Sequence, residues 1–210
     1  MNDSRHNTAR PPQTLPEVDV DARDRDLIIK GTRNQLKAYT LSQKGLDLCA
    51  LNHDGRQQLV GQIKSSLDNA SMNSYLQKGQ EPLETFLVES FLPFYETLDM
   101  RFENAPDAKS ARGIGEIKTS MKKALGNAVK NDGNFARQIC EKEGRDGAYD
   151  FINTRNFKPV GLDEPTHSPY PDAYEFSYEG QAYVIDPRLD EVFVTREAFL
   201  EKYPPGKDWS

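Results

Sequence analysis

A chain of 210 residues with 36% hydrophobic, 29% charged and 10% aromatic residues is long enough to bury a sizeable core. Its aromatics are gathered in particular segments, which excludes disorder throughout, and a net charge of −6 excludes a surface that coats nucleic acid or an anionic membrane as a whole, leaving room for a local basic patch. No apolar run is long enough to cross a bilayer and the N-terminus lacks the apolar core of a signal peptide, so the expectation is a soluble, cytoplasmic protein without a membrane partner.

Residues 1–20 predict a disordered arm, because Pro11, Pro12 and Pro16 exclude helix and Leu15 is nearly its only large apolar residue. Secretion leaders without an apolar core share this composition, and that route stays open. Order begins near Asp21, with a helix expected to run to Tyr39 on Leu27, Ile28, Ile29, Leu36 and Tyr39. Acids at its start suit the helix dipole. The Asp19/Asp21 spacing is that of the first ligands of a calcium loop, but the central glycine and closing glutamate are missing, so no metal is expected there. Leu46, Leu48, Cys49 and Leu51 lead into the turn Asn52-His53-Asp54-Gly55. Asp54 is expected to cap a helix that carries Leu59, Ile63, Leu67 and Tyr75 and reaches Gly79.

Pro82 to Phe102 is the densest apolar run. Leu83, Leu87, Phe91, Phe94, Leu98 and Phe102 recur at steps of four and three, which predicts one buried stripe with Phe86 and Tyr95 at its borders. Pro93 removes the bond to the carbonyl of Glu89, so a kink between Glu89 and Pro93, or two shorter helices, is expected. After a turn at Asn104 to Asp107, Ile114, Ile117, Met121, Leu125 and Ala128 predict an amphipathic helix from Asp107 or Gly113 to Lys130. Asp132-Gly133 reads as a break before a further short helix with Phe135, Ile139 and Cys140.

Texture changes after residue 157. Pro159, Pro165, Pro169 and Pro171 mark a linker over 158–172, and Tyr174, Phe176 and Tyr178 then alternate with polar residues as in a half-buried strand. Glu179-Gly180 signals a turn, residues 182–185 a return strand and residues 192–194 a third strand. Thr195 is expected to cap a last helix from Arg196 to Tyr203, stopped by Pro204 and Pro205. The predicted class is α+β: a mainly α-helical body of about five helical segments over 21–157, with a C-terminal antiparallel β-meander and short helix over 173–210. So small a module must lie on the helical body to be stable.

Chemistry is sparse. Cys49 and Cys140 follow no ligand spacing and read as two buried thiols. There is no GxSxG, HExxH or P-loop pattern, and the three histidines are His6, His53 and His167. His53 beside Asp54 reads as local capping, and Glu89 with Glu96, two helical turns apart, is the carboxylate pair open to a hydrolase. No catalytic residue, metal or cofactor is assigned, and the balance leans away from an enzyme.

Charge is the distinctive feature. Lys109, Arg112, Lys118, Lys122, Lys123 and Lys130 face Glu116 as the sole acid between 109 and 130, and a helix gathers Arg112, Lys122, Lys123 and Lys130 on one sector. Gly113-Ile114-Gly115, at the start of that helix, would offer backbone N–H groups to an anion. This tripeptide resembles that of the helix-hairpin-helix DNA-binding motif, with Lys122 and Lys123 standing where the motif continues its apolar ladder. Between Asp163 and Glu201, ten acids face only Arg188 and Arg196. The leading expectation is a non-enzymatic interaction or regulatory protein that binds a protein partner through Tyr174, Glu175, Tyr178, Glu179 and Glu191. The alternative is a nucleic-acid-binding accessory protein that uses the six basic residues, and the third reading is a small enzyme or secreted effector without a linear motif. Pairing of the basic helix with the acidic module is a further option.

Overall fold

A computed structural model describes residues 22–41, 48–76, 81–145, 147, 150, 154–160, 173–186 and 194–204. The expected arm, the calcium-like Asp19/Asp21 pair, residues 161–172 of the linker, and Glu191 with two residues of the third strand lie outside them.

Helix α1, Ala22–Leu41, buries Arg25, Ile29, Thr32, Leu36 and Tyr39, a stripe with steps of four and three. Leu27 and Ile28, expected in that stripe, are exposed, and Arg25 holds the buried position instead. Burial of the guanidinium is offset by hydrogen bonds: Arg25 Nε donates to Asn73 Oδ1 at 2.7 Å, while Asn73 Nδ2 donates to Asp26 Oδ1 at 2.9 Å.

A 3₁₀ turn over Leu48–Ala50 precedes α2, His53–Leu76. Asn52, rather than Asp54, caps α2, since its side chain accepts from the N–H of Gly55 at 2.8 Å. His53 and Asp54 are both exposed in the first turn. Ser66 Oγ donates to Thr32 Oγ1 at 2.8 Å, and these two small polar residues meet at the contact between α1 and α2.

The aromatic run forms α3, Leu83–Phe86, a π turn over Leu87–Phe91, and α4, Leu92–Glu103. The widening absorbs the proline. Leu92 N–H reaches back five residues to the carbonyl of Leu87, so the missing N–H of Pro93 falls where the ladder has already changed step. Leu83, Phe86, Leu87, Phe91, Phe94, Tyr95 and Leu98 are buried as expected, whereas Phe102 is 45% exposed.

Helix α5, Ala108–Lys142, is continuous where a break was expected at Asp132-Gly133. Asp107 caps it by accepting from Ser110 N–H at 2.8 Å, a bond that holds the Asp107 carboxyl below the usual carboxylate range. Its buried stripe of Ile117, Met121, Leu125 and Ala128 runs on through Asp132, Ala136 and Cys140. Helix α2 packs on α1 and α5, and α4 lies against α1 and α5, which gives a helical body with one aromatic core.

Four antiparallel strands in the order β1-β2-β3-β4 complete the fold: Lys158–Pro159, Tyr174–Tyr178, Gln181–Ile185 and Val194–Thr195. β1 was not foreseen, because its two residues read as the beginning of the linker. Glu179 and Gly180, with φ of +49° and +81°, make the two-residue turn that matches the twist of paired strands. Register puts Phe176 opposite Tyr183 and Tyr174 opposite Ile185 on one face, with Glu175 opposite Val184 on the other. The first face joins Phe157 in the core of the helical body, and the second meets Phe199 of α6, Arg196–Lys202. Thr195 caps α6, its side chain accepting from Ala198 N–H at 3.3 Å. The sheet is thus a layer between the body and α6.

Candidate basic groove

Two rows of α5 residues four apart, Lys118-Lys122-Gly126-Lys130 and Gly115-Thr119-Lys123-Asn127, line one open groove of about 650 Å³. Tyr95 and Phe102 of α4 make its wall. Its lining thus combines four lysines, small and uncharged residues of α5 and an aromatic side.

Lys118 belongs to the groove and to the fold together. It pairs with Asp99 of α4, and its ammonium lies 5.5 Å from the centroid of the Tyr95 ring and 5.4 Å from that of Phe102. Lys123 and Lys130 are exposed, and Lys122 is half-buried. Lys109 and Arg112 are exposed in the first two turns of α5 and lie outside the groove lining. Four of the six expected basic residues therefore converge.

The glycine pair acts differently from its expectation. α5 begins at Ala108, so Gly113 and Gly115 are interior and their N–H groups lie within the helix rather than at an anion-binding end. No hairpin separates them from Lys122 and Lys123, which share the same helix. Neither position demands a glycine for packing: a Cβ on Gly113 would lie 3.4 Å from Arg56 Nη1, and one on Gly115 would lie 3.5 Å from Phe102 Cε2, both ordinary contacts. Arg56 crosses from α2 to Glu116 with Nη2 at 2.8 Å from the carboxylate and donates from Nη1 to the carbonyl of Leu51 at 2.7 Å. The sole acid of the basic segment is thereby engaged.

The acidic module uses its tyrosines inward. Tyr174 and Tyr178 pack against the main core, and Tyr178 donates to Glu89 Oε1 at 2.5 Å. Glu175 pairs with Arg196 at 2.8 Å on the face covered by α6, and Glu179 is exposed in the hairpin turn. Glu89 is also paired with Arg33, which reaches Glu81 at 2.9 Å. A cavity of about 210 Å³ beside the π turn is lined by Arg33, Lys37, Glu89 and Ser90, but there the cation of Arg33 already lies between two carboxylates. Glu96 is exposed and lines neither cavity, so the two carboxylates of the hydrolase reading are not brought to one cleft.

A buried polar cluster went unread in the sequence. Tyr75 donates to Asp132 Oδ1 at 2.5 Å, Phe157 N–H donates to Asp132 Oδ2 at 3.2 Å, and Arg155 Nε lies 3.6 Å from the same oxygen. Asp132 is fully buried; burial pushes its carboxyl up, against the pull of Tyr75, Phe157 N–H and Arg155. Burial and the neighbouring carboxylate also push the Tyr75 hydroxyl upward. Arg155 lies over the Tyr174 ring at 5.1 Å, and a Cβ on Gly133 would come within 3.3 Å of its guanidinium carbon. The cluster thus ties α2, α5 and the approach to the sheet together. Its signal was present, since Asp132 continues the stripe four residues beyond Ala128.

Cys49 is half-buried on the 3₁₀ turn and Cys140 is buried, a partial departure from two buried thiols. Among the described residues, no three His, Cys, Asp or Glu side chains gather as for a metal, and no helix is long and apolar enough to cross a membrane. No protein-family model, curated protein or solved structure matches the chain.

Proposed function

We propose that the protein is a non-enzymatic accessory protein that binds nucleic acid in the groove between α4 and α5. The observation that carries this reading is the convergence of Lys118, Lys122, Lys123 and Lys130 on one concave surface whose lining contains no acid among the described residues. Lys118 and Lys130 are twelve residues apart on α5, about 18 Å along the axis, enough to follow several phosphates. The chain's net charge of −6 works against polyanions at long range. Screening beyond about 8 Å at physiological salt leaves the groove lysines as the field that a bound phosphate meets, Lys118 contributing least because Asp99 already pairs with it.

The protein-partner reading draws on the acidic excess of the C-terminal module, with Glu179 exposed at its hairpin tip. It has less support, because Tyr174 and Tyr178 are engaged with the helical body and Glu175 with Arg196. Fluorescence anisotropy with labelled oligonucleotides across a salt series separates the two. Three to four phosphate contacts give a slope of log K against log salt of about −2 to −3 for a single strand. Lys122→Glu with Lys123→Glu should lower affinity at least tenfold and flatten that slope. Unchanged binding in the double variant, or no binding by the native chain at physiological salt, would remove the groove from consideration.

A further inference from the structure

We infer that the groove takes single-stranded nucleic acid in preference to duplex, with one base stacked on Phe102. This inference rests on the nucleic-acid reading of the groove and narrows it to one kind of strand. Phe102 belongs by spacing to the buried stripe of α4, yet it is 45% exposed and lines the groove. Gly115 of α5 lies beside it: a Cβ there would come 3.5 Å from Phe102 Cε2, so the missing side chain leaves that edge of the ring without a contact that even an alanine would make.

The ring is also held. Lys118 Nζ lies 5.4 Å from its centroid, and Asp99 and the Tyr95 ring fix that ammonium in turn. An aromatic ring fixed beside a row of lysines supplies the two components of single-strand recognition, a track for phosphates and a platform for a base. A duplex hides the faces of its bases within the stack, so Phe102 gains nothing from one. The lining offers few groups that could read base edges: among the described residues Thr119 and Asn127 are its only uncharged polar side chains apart from Tyr95, so the stacking is tolerant of sequence.

The test uses the full chain and three probes: a labelled thymidine oligonucleotide, the same strand annealed to its complement, and inorganic polyphosphate of matched charge as a polyanion without bases. The native protein should bind the single strand more tightly than either other probe. Phe102→Ala should weaken single-strand binding by about 5-fold to 150-fold, the span expected for one stacked base, and leave duplex and polyphosphate unchanged. Phe102→Trp should restore the single strand, and thermal melts of both variants control for folding. Equal loss for all three probes, or no loss for the single strand, overturns the stacking role. Binding of every probe that depends on Lys122 and Lys123 but not on Phe102 keeps the groove and discards the platform. No binding to any probe discards both.

Discussion

Removing the hydroxyl of Tyr75 tests whether the Asp132 cluster is the tie between the helical body and the sheet. In Tyr75→Phe the ring stays, so its contact with Phe135 at 5.5 Å is kept, while the hydroxyl's contacts with Asp132 are lost, at 2.5 Å to Oδ1 and 3.1 Å to the backbone carbonyl. Asp132 is fully buried, so bulk solvent does not reach the carboxylate that loses its donor. A hydrogen bond to a charged acceptor is worth about 1.5–3 kcal/mol, and a loss of that size should appear in urea denaturation as a lower midpoint at unchanged slope. Asp132→Asn closes a double-mutant cycle, with an expected coupling of about 1–2 kcal/mol. The sign of the pH dependence follows from the direction of the shift. Burial raises the Asp132 carboxyl above its unfolded value, so the stability that this group contributes is fully present below the unfolded pKa of about 3.9 and is lost as pH rises through the folded value. Relative to Asp132→Asn, the native chain should therefore gain stability as pH falls from neutrality toward 4. A Tyr75→Phe change below about 0.5 kcal/mol with no coupling would show that the cluster is not a tie.

Phe94→Ala should cost about 3–5 kcal/mol, because the ring is fully buried against Tyr39 at 5.9 Å and its removal leaves a cavity. A native-like denaturation midpoint would contradict the organising role of α4. Gly180→Ala puts a side chain at φ +81°, where the left-handed backbone costs about 1–2 kcal/mol. It should lower the melting temperature, and an unchanged melt would mean that the hairpin turn does not limit the sheet.

Periodic features of the fold were legible. The alternation of Tyr174, Phe176 and Tyr178 gave one strand face, Glu179-Gly180 the turn and Thr195 the cap, because each depends on residues within a few positions of one another. Pro93 likewise forced a departure from α-helix, which took the form of a π turn. Polar residues at core positions were passed over even where spacing placed them in a stripe, since what permits their burial comes from far along the chain. Arg25 is buried with Asn73, 48 residues away, accepting its hydrogen bond, and the carboxylate of Asp132 is buried with Phe157 N–H, 25 residues away, donating to it. With no partner in view, Asp-Gly reads as a turn and Arg as surface. Of the groove, the lysine sector was readable on a wheel, but its aromatic wall belongs to α4 and becomes visible only once α4 and α5 are packed together.

The exposure of Phe102 shows how the groove arises from the same packing that builds the core. At about 100° per residue, Phe102 remains within the arc of Phe94, Tyr95 and Leu98, so the apolar stripe of α4 does not end before it. What changes is the opposing surface. Helix α5 meets the buried part of α4 with Ile114, Ile117, Met121 and Leu125 in the shared core, while its neighbouring rows carry Gly115, Thr119 and Gly126. Small residues there leave apolar surface of α4 uncovered, and Lys118, which pairs with Asp99, spans the two helices across that gap. If closing the core were the only role of these rows, larger apolar residues at those positions would bury Phe102 and stabilise the helix pair. The rows instead combine small side chains with four lysines, a composition that gives up burial and keeps a concave, cationic surface beside an aromatic ring. That trade is what makes the groove, rather than the acidic sheet, the surface on which function is to be tested first.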